Sequence, residues 1–190
     1  MQAKKNIFSV LDNSWWSVAV IAALTGMILY QAWQVRHRPV PARVQAQLLA
    51  VGEQIPAVAV ESLQGQAQTI DWIAAGQPSI VYVFRPDCVW CRHNRAGARM
   101  LLEHSAQYRF IGLSTSAKGL KEYVAENRLT FPVYVASSKT IERLKLGVTP
   151  ETIVVASGGR VQKVWPGAYG GAIVNQIESM FGFKLPALEM

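Results

Sequence analysis

The chain has 190 residues, 51% of them hydrophobic and 16% charged, which excludes a disordered or collagen-like protein and fits one domain plus an added segment. Nineteen Lys and Arg against twelve Asp and Glu give a formal charge of +7; before Val44, Lys4, Lys5, Arg36, Arg38 and Arg43 against Asp12 supply +4, which leaves +3 for the rest. The basic excess is therefore largely N-terminal, and nucleic-acid binding by the folded part is not implied.

Residues 1–12 form a short tail. From Asn13 to Val35 no formal charge occurs, and Trp15 to Trp33 reads WWSVAVIAALTGMILYQAW, long enough as a helix to cross a hydrocarbon core of about 30 Å. Trp15 and Trp16 at one end and Tyr30 and Trp33 at the other lie where interfacial aromatic residues belong. A transmembrane anchor over residues 13–35 is expected. A cleaved signal peptide is the rival, but bulky Tyr30, Trp33 and Val35 leave no convincing small-x-small cleavage site. Basic residues flank both ends, so the positive-inside rule gives no orientation. Residues 36–47, with Pro39 and Pro41, read as a linker. Residues 48–190 form the domain, long enough to bury roughly 70% of its unfolded surface around one core.

Within the domain, Ala57–Ser62 and Gln68–Ile70 flank Leu63-Gln64-Gly65-Gln66, predicting strand, turn and strand. Ser79–Phe84 is β-branched, aromatic and apolar at successive positions, as a central strand buried on both faces requires. A helix is expected from Cys88 to His104, then a strand at Phe110–Ser114, a helix at Lys118–Arg128, a strand at Phe131–Ala136 and a short helix at Lys139–Leu146. Thr152–Ala156 and Arg160–Trp165 form a hairpin around Ser157-Gly158-Gly159, and Ala172–Phe183 closes the chain as a helix. This alternation predicts an α/β sheet with helices on both faces.

The two cysteines, Cys88 and Cys91, exclude a disulfide-stapled scaffold and a four-cysteine zinc site. Arg85-Pro86-Asp87-Cys88-Val89-Trp90-Cys91-Arg92 puts C-x-x-C after a buried strand and at the opening of a helix. Unpaired N–H groups at a helix start stabilise a thiolate. Cys88, in the first exposed turn, is then the attacking nucleophile, and Cys91, one turn in, resolves the mixed disulfide. A static disulfide or half of a metal site is the alternative. At about 100° per residue, Cys88, Arg92, Arg95 and Arg99 share a helix face. Arg92, the nearest, is the electrostatic candidate, with Asp87 opposing it. His93 and His104 could join the cysteines around copper or zinc, but the wheel puts His93 with Val89, Ala96 and Met100, away from Cys88. Cys-Val-Trp-Cys-Arg lacks the histidine of a haem-attachment motif. Thr149-Pro150 precedes the strand at Thr152. A cis bond there would face the cysteines and offer the Thr149 backbone to an extended substrate, whereas a trans proline would simply start the strand.

The chain resembles the thioredoxin superfamily, and more narrowly the membrane-anchored TlpA/ResA/CcmG-like thiol-disulfide oxidoreductases, over most of Val51–Phe183. The residues that carry the resemblance are Val51-Gly52-Glu53 with Pro56, Cys88-Val89-Trp90-Cys91, Phe131-Pro132-Val133, Gly147-Val148-Thr149-Pro150-Glu151-Thr152 and Ser157-Gly158-Gly159. It implies a thioredoxin-like fold, a cis-proline at Pro150, cysteines facing the exterior of the cytoplasmic membrane or the periplasm, and a protein thiol or disulfide substrate. Reduction is the favoured direction, because anchored relatives receive electrons from a membrane donor. Catalysis falls to Cys88 and Cys91, and substrate binding to Trp90, Thr149 and Pro150; no cofactor or metal ligand is expected. The family's cytochrome-maturation members commonly carry glutamate where Asn94 stands, thioredoxins a buried aspartate where Tyr82 stands, and Arg85-Pro86-Asp87 replaces the usual Trp-Ala-x-Trp. The competing class is a copper or zinc carrier resembling Sco-type proteins, which use C-x-x-x-C and a distant histidine; here the spacing is one shorter and no histidine follows His104.

Overall fold

The computed structural model describes residues 8–36 and 48–188. Helix α1 spans Phe8–Arg36 and so begins before the expected Asn13, because backbone hydrogen bonding does not stop where the apolar run does. Residues 1–7 of the expected tail and 37–47 of the expected linker lie outside the described residues. The stretch Trp15–Val35 has the length and apolar character of a membrane span, and its side chains are exposed. It belongs to one compact unit, Met1–Pro39, and the rest of the chain, Val40–Met190, to another.

The second unit is built on seven strands: β1 Val58–Ser62, β2 Ala67–Ile70, β3 Ser79–Phe84, β4 Arg109–Ser114, β5 Val133–Ala136, β6 Glu151–Val155 and β7 Val161–Pro166. They lie in the order β2-β1-β5-β4-β3-β6-β7. Strand β3 runs parallel to β4 and antiparallel to β6, and all six of its residues are buried, as its unbroken apolar sequence requires. The helices are α2 Val89–His93, α3 Arg95–Glu103, α4 Leu120–Glu126, α5 Ser138–Arg143 and α6 Ala172–Phe181. Strand alternation divides the core. Val81 and Val83 face a layer with Ile55, Trp72 and Leu144. Ile80, Tyr82 and Phe84 face Leu101 of α3, Leu120 of α4 and Ile177 of α6. Helices therefore cover both faces, as predicted.

Element ends differ from the sequence expectations where single residues intervene. The strand expected from Phe131 starts at Val133, because Pro132 has no N–H to donate and contributes only its carbonyl, which accepts from Gly112 N–H at 2.8 Å. Helix α4 stops short of the expected Arg128, whose φ of +48° is left-handed. Helix α5 starts early because the Ser137 hydroxyl caps Thr140 N–H at 3.2 Å, and it ends before Lys145, at φ +53°.

The helix expected from Cys88 to His104 divides at Asn94 into α2 and α3. Asn94 is fully buried. Its Oδ1 accepts the Tyr169 backbone N–H at 2.7 Å, and its Nδ2 donates to the Tyr82 hydroxyl at 3.4 Å. The Tyr169 hydroxyl lies 2.7 Å from Thr152 Oγ1. Helix, sheet and the approach to α6 are thus tied by satisfied buried polar groups. Gly97 admits the Tyr169 ring: a Cβ there would meet Tyr169 Cδ2 at 2.8 Å. Gly97→Val is therefore expected to lower unfolding stability by about 1–3 kcal/mol, as overpacking does. Urea denaturation checks this, and an unchanged midpoint would mean that the ring yields freely.

Candidate active site

Strand β3 ends at Phe84, and the chain turns through Arg85-Pro86-Asp87 to reach Cys88, the N-cap of α2, with extended backbone at φ −80° and ψ 115°. In that conformation the Cys88 sulfur accepts the backbone N–H of Cys91 at 3.1 Å. The same sulfur lies 3.5 Å from the Thr149 carbonyl oxygen, and the Thr149–Pro150 peptide is cis, as the resemblance implies. Cys88 and Cys91 form a disulfide with Cα atoms 5.2 Å apart. Cys88 is half-buried and Cys91 is 0% exposed, so a reagent in solution reaches the first sulfur and not the second. A thiolate on Cys88 would keep the Cys91 N–H as a charge-assisted donor, which favours the ionised form.

The charges around Cys88 differ from the sequence expectation. Asp87 does not act on the sulfur as a bare carboxylate, because Arg85 Nε and Nη2 donate to it at 3.0 and 2.7 Å. The guanidinium holds the Asp87 carboxyl below the usual range, though the pair is exposed and adds little stability. Arg92 is exposed on α2, and its charge, with that of Arg95, acts on the Tyr123 phenol against the upward push of burial. The helical wheel groups Arg95 and Arg99 with Cys88, yet both line a cavity beside Cys91, and Arg95 donates to Asn127 Oδ1 at 2.7 Å. Trp90 is 61% exposed beside Cys88, its ring edge-on to His93 at 5.7 Å. His104 stacks on Phe183 at 4.6 Å, and among the described residues no three His, Cys, Asp or Glu side chains converge on a metal position.

On the Cys91 side of the sheet, Tyr82 and Asn94 are neutral groups that bond to each other. The acid that the sequence reading passed over is Glu151. It follows Pro150 directly and pairs in register with Val83, so it sits on the sheet face opposite Tyr82 and Cys91. It is 0% exposed, and neither carboxylate oxygen has a hydrogen-bond partner. Burial pushes its pKa up to about 8. An acid at the head of an otherwise apolar strand, Glu151-Thr152-Ile153-Val154-Val155, was the available signal.

A raised acid pKa makes stability depend on pH in one direction. Between the ordinary value of 4.5 and about 8 the folded form keeps a proton that the unfolded form has released. Stability from this group is complete at the acidic end and falls by about 1.4 kcal/mol per pH unit as pH rises through that window. Glu151→Gln is expected to flatten this slope in denaturation midpoints measured from about pH 5 to about pH 8. Equal slopes for both proteins would contradict the assignment.

No family model matches the chain. It is similar to a thioredoxin-like protein of Haemophilus influenzae, 26% identical over 119 residues that cover 62% of this chain and 71% of the relative. Among solved structures it is similar to the thioredoxin domain of a thiol-disulfide oxidoreductase from Bacteroides vulgatus, with a TM-score of 0.53 and 20% identity over 70% of this chain and 99% of that one. It is also similar to StoA of Bacillus subtilis, with a TM-score of 0.52 and 14% identity over 66% of this chain and 98% of that one. Identities this low speak to the fold. The seven-stranded mixed sheet, the C-x-x-C pair at the start of a helix and the cis-proline against the first sulfur give the chain a thioredoxin-like fold.

Proposed function

We propose that the chain is a protein thiol-disulfide oxidoreductase, anchored by residues 13–35 in the cytoplasmic membrane through a linker at 36–47, with the domain at 48–190 facing the periplasm or exterior and reducing protein disulfides. The observation that carries this reading is the asymmetry of the two sulfurs: Cys88 is accessible and accepts the Cys91 N–H at 3.1 Å, while Cys91 is wholly buried. The Cys88 thiolate attacks one sulfur of a substrate disulfide; a mixed disulfide forms, and the other substrate sulfur leaves as a thiolate and takes a proton. Cys91, deprotonated, then attacks the Cys88 sulfur, forms the Cys88–Cys91 disulfide and expels the second substrate thiolate. Two electrons have passed to the substrate, and a membrane donor returns the pair to the dithiol. Exposed Trp90 offers an apolar platform beside the sulfur, and the Thr149 carbonyl beside Pro150 offers an acceptor to an extended substrate backbone. Arg92 adds positive charge on α2. The exposed apolar stretch of α1 supports the anchor, and a Cys88–Cys91 disulfide, a bond that persists in oxidising compartments, supports the orientation.

The roles of the cysteines separate in single variants. Cys91→Ala is expected to accumulate substrate as a mixed disulfide on non-reducing gels of membranes, since no second thiol releases it, and Cys88→Ala is expected to trap nothing. Equal trapping by both would overturn the assignment, and no adduct with either would remove the enzymatic reading.

Protease added to intact spheroplasts is expected to digest the domain while the chain remains membrane-bound. A protected domain would refute the orientation, and a mature N-terminus near Val35 would refute the anchor.

A further inference from the structure

We propose that the cavity between α3 and α4 is a binding site for a flat aromatic monocarboxylate. The cavity has a volume of about 320 Å³ and lies on the buried side of Cys91, away from the exposed sulfur of Cys88. Its walls carry the rings of Tyr82, Phe84, Tyr123 and Phe131, with Phe84 and Tyr123 tilted at 30° and their centroids 5.4 Å apart. Such a lining favours a flat ring, which meets aromatic neighbours face-on or edge-on, over a flexible chain, and gives water few partners.

The exposed residues that line the same cavity supply the charge. Arg95, Arg99 and Arg128 line it with one acid, Glu103, and Glu126 joins the same arginines in the adjoining hollow, so the basic groups outnumber the acids by three to two. Among the described residues neither Arg99 nor Arg128 is held in an ion pair. Small-molecule sites commonly pair an apolar concave space with a few convergent polar or charged groups, and here those groups are cationic. Arg128 adds an independent observation. It follows α4 at φ +48°, a place where glycine is the favoured residue, so the chain keeps a guanidinium at the cavity edge in a conformation that its own backbone disfavours.

The test uses the full chain in lipid nanodiscs, titrated calorimetrically with 2-naphthoate against empty discs. Saturable one-to-one binding is expected, weakened about tenfold or more in Arg128→Gly and in Arg99→Gln, the scale on which loss of a charge-assisted contact registers. Arg128→Gly suits the left-handed backbone, so lost affinity with an unchanged thermal transition reports the guanidinium and not the fold. The uncharged 2-naphthol is expected to bind about tenfold more weakly than 2-naphthoate, and octanoate to bind more weakly as well. Absence of saturable heat above the empty discs, wild-type affinity in both arginine variants, or 2-naphthol binding as tightly as 2-naphthoate would overturn the proposal. Octanoate binding more tightly than 2-naphthoate would overturn its aromatic part.

Discussion

The contact on which the site depends is the 3.1 Å hydrogen bond from the Cys91 backbone N–H to the Cys88 sulfur. It exists only because Cys88 is the N-cap of α2, where a side chain accepts an N–H that has no partner within the helix. Most caps use oxygen; sulfur in that place couples the start of a helix to the chemistry of a thiol. Moving the helix start by one residue would turn that N–H away and expose a different side chain. Much of the surrounding structure can be understood as holding that start fixed. Strand β3, buried along its whole length, delivers the chain to Arg85, and the Thr149 carbonyl limits where the sulfur can lie. Asn94, tied to Tyr82 and Tyr169, pins the far end of α2.

The charge arrangement follows from the same geometry. Arg85 engages Asp87, so the acid nearest the nucleophile is already paired. Beneath Cys91 the tyrosine and asparagine are neutral and bonded to one another. Glu151 carries the buried acidity of the strand beside Pro150, but on the opposite face of the sheet, where burial holds its proton. Among the described residues no buried carboxylate lies on the Cys91 face of the sheet.

The features legible in the sequence are those fixed by neighbours along the chain. Ser79–Phe84 reads as a central strand because β-branched and apolar residues fill both faces, and Ser157-Gly158-Gly159 reads as a turn because its backbone demands are local. The cysteine pair was legible for the same reason: a strand before it and a helix after it are both encoded within a few residues. Asn94 was not, since its burial is completed by Tyr169, 75 residues further on. A helical wheel sees only its own helix, so it could not show that Arg95 meets Asn127 or that Arg95 and Arg99 line a cavity with Arg128. Glu151 is isolated by residues that β3 brings opposite it, which no spacing in its own segment reveals.

The central claim, that the fold makes one sulfur the nucleophile and hides the other, is open to direct measurement. The reduced chain is treated with limiting iodoacetamide near neutral pH, and the alkylated position is mapped by peptide mass spectrometry. The account predicts modification at Cys88 in excess of Cys91 by about tenfold or more, because only the first sulfur is accessible and the Cys91 N–H beside it would stabilise its thiolate. Equal labelling of the two, or a preference for Cys91, would contradict it.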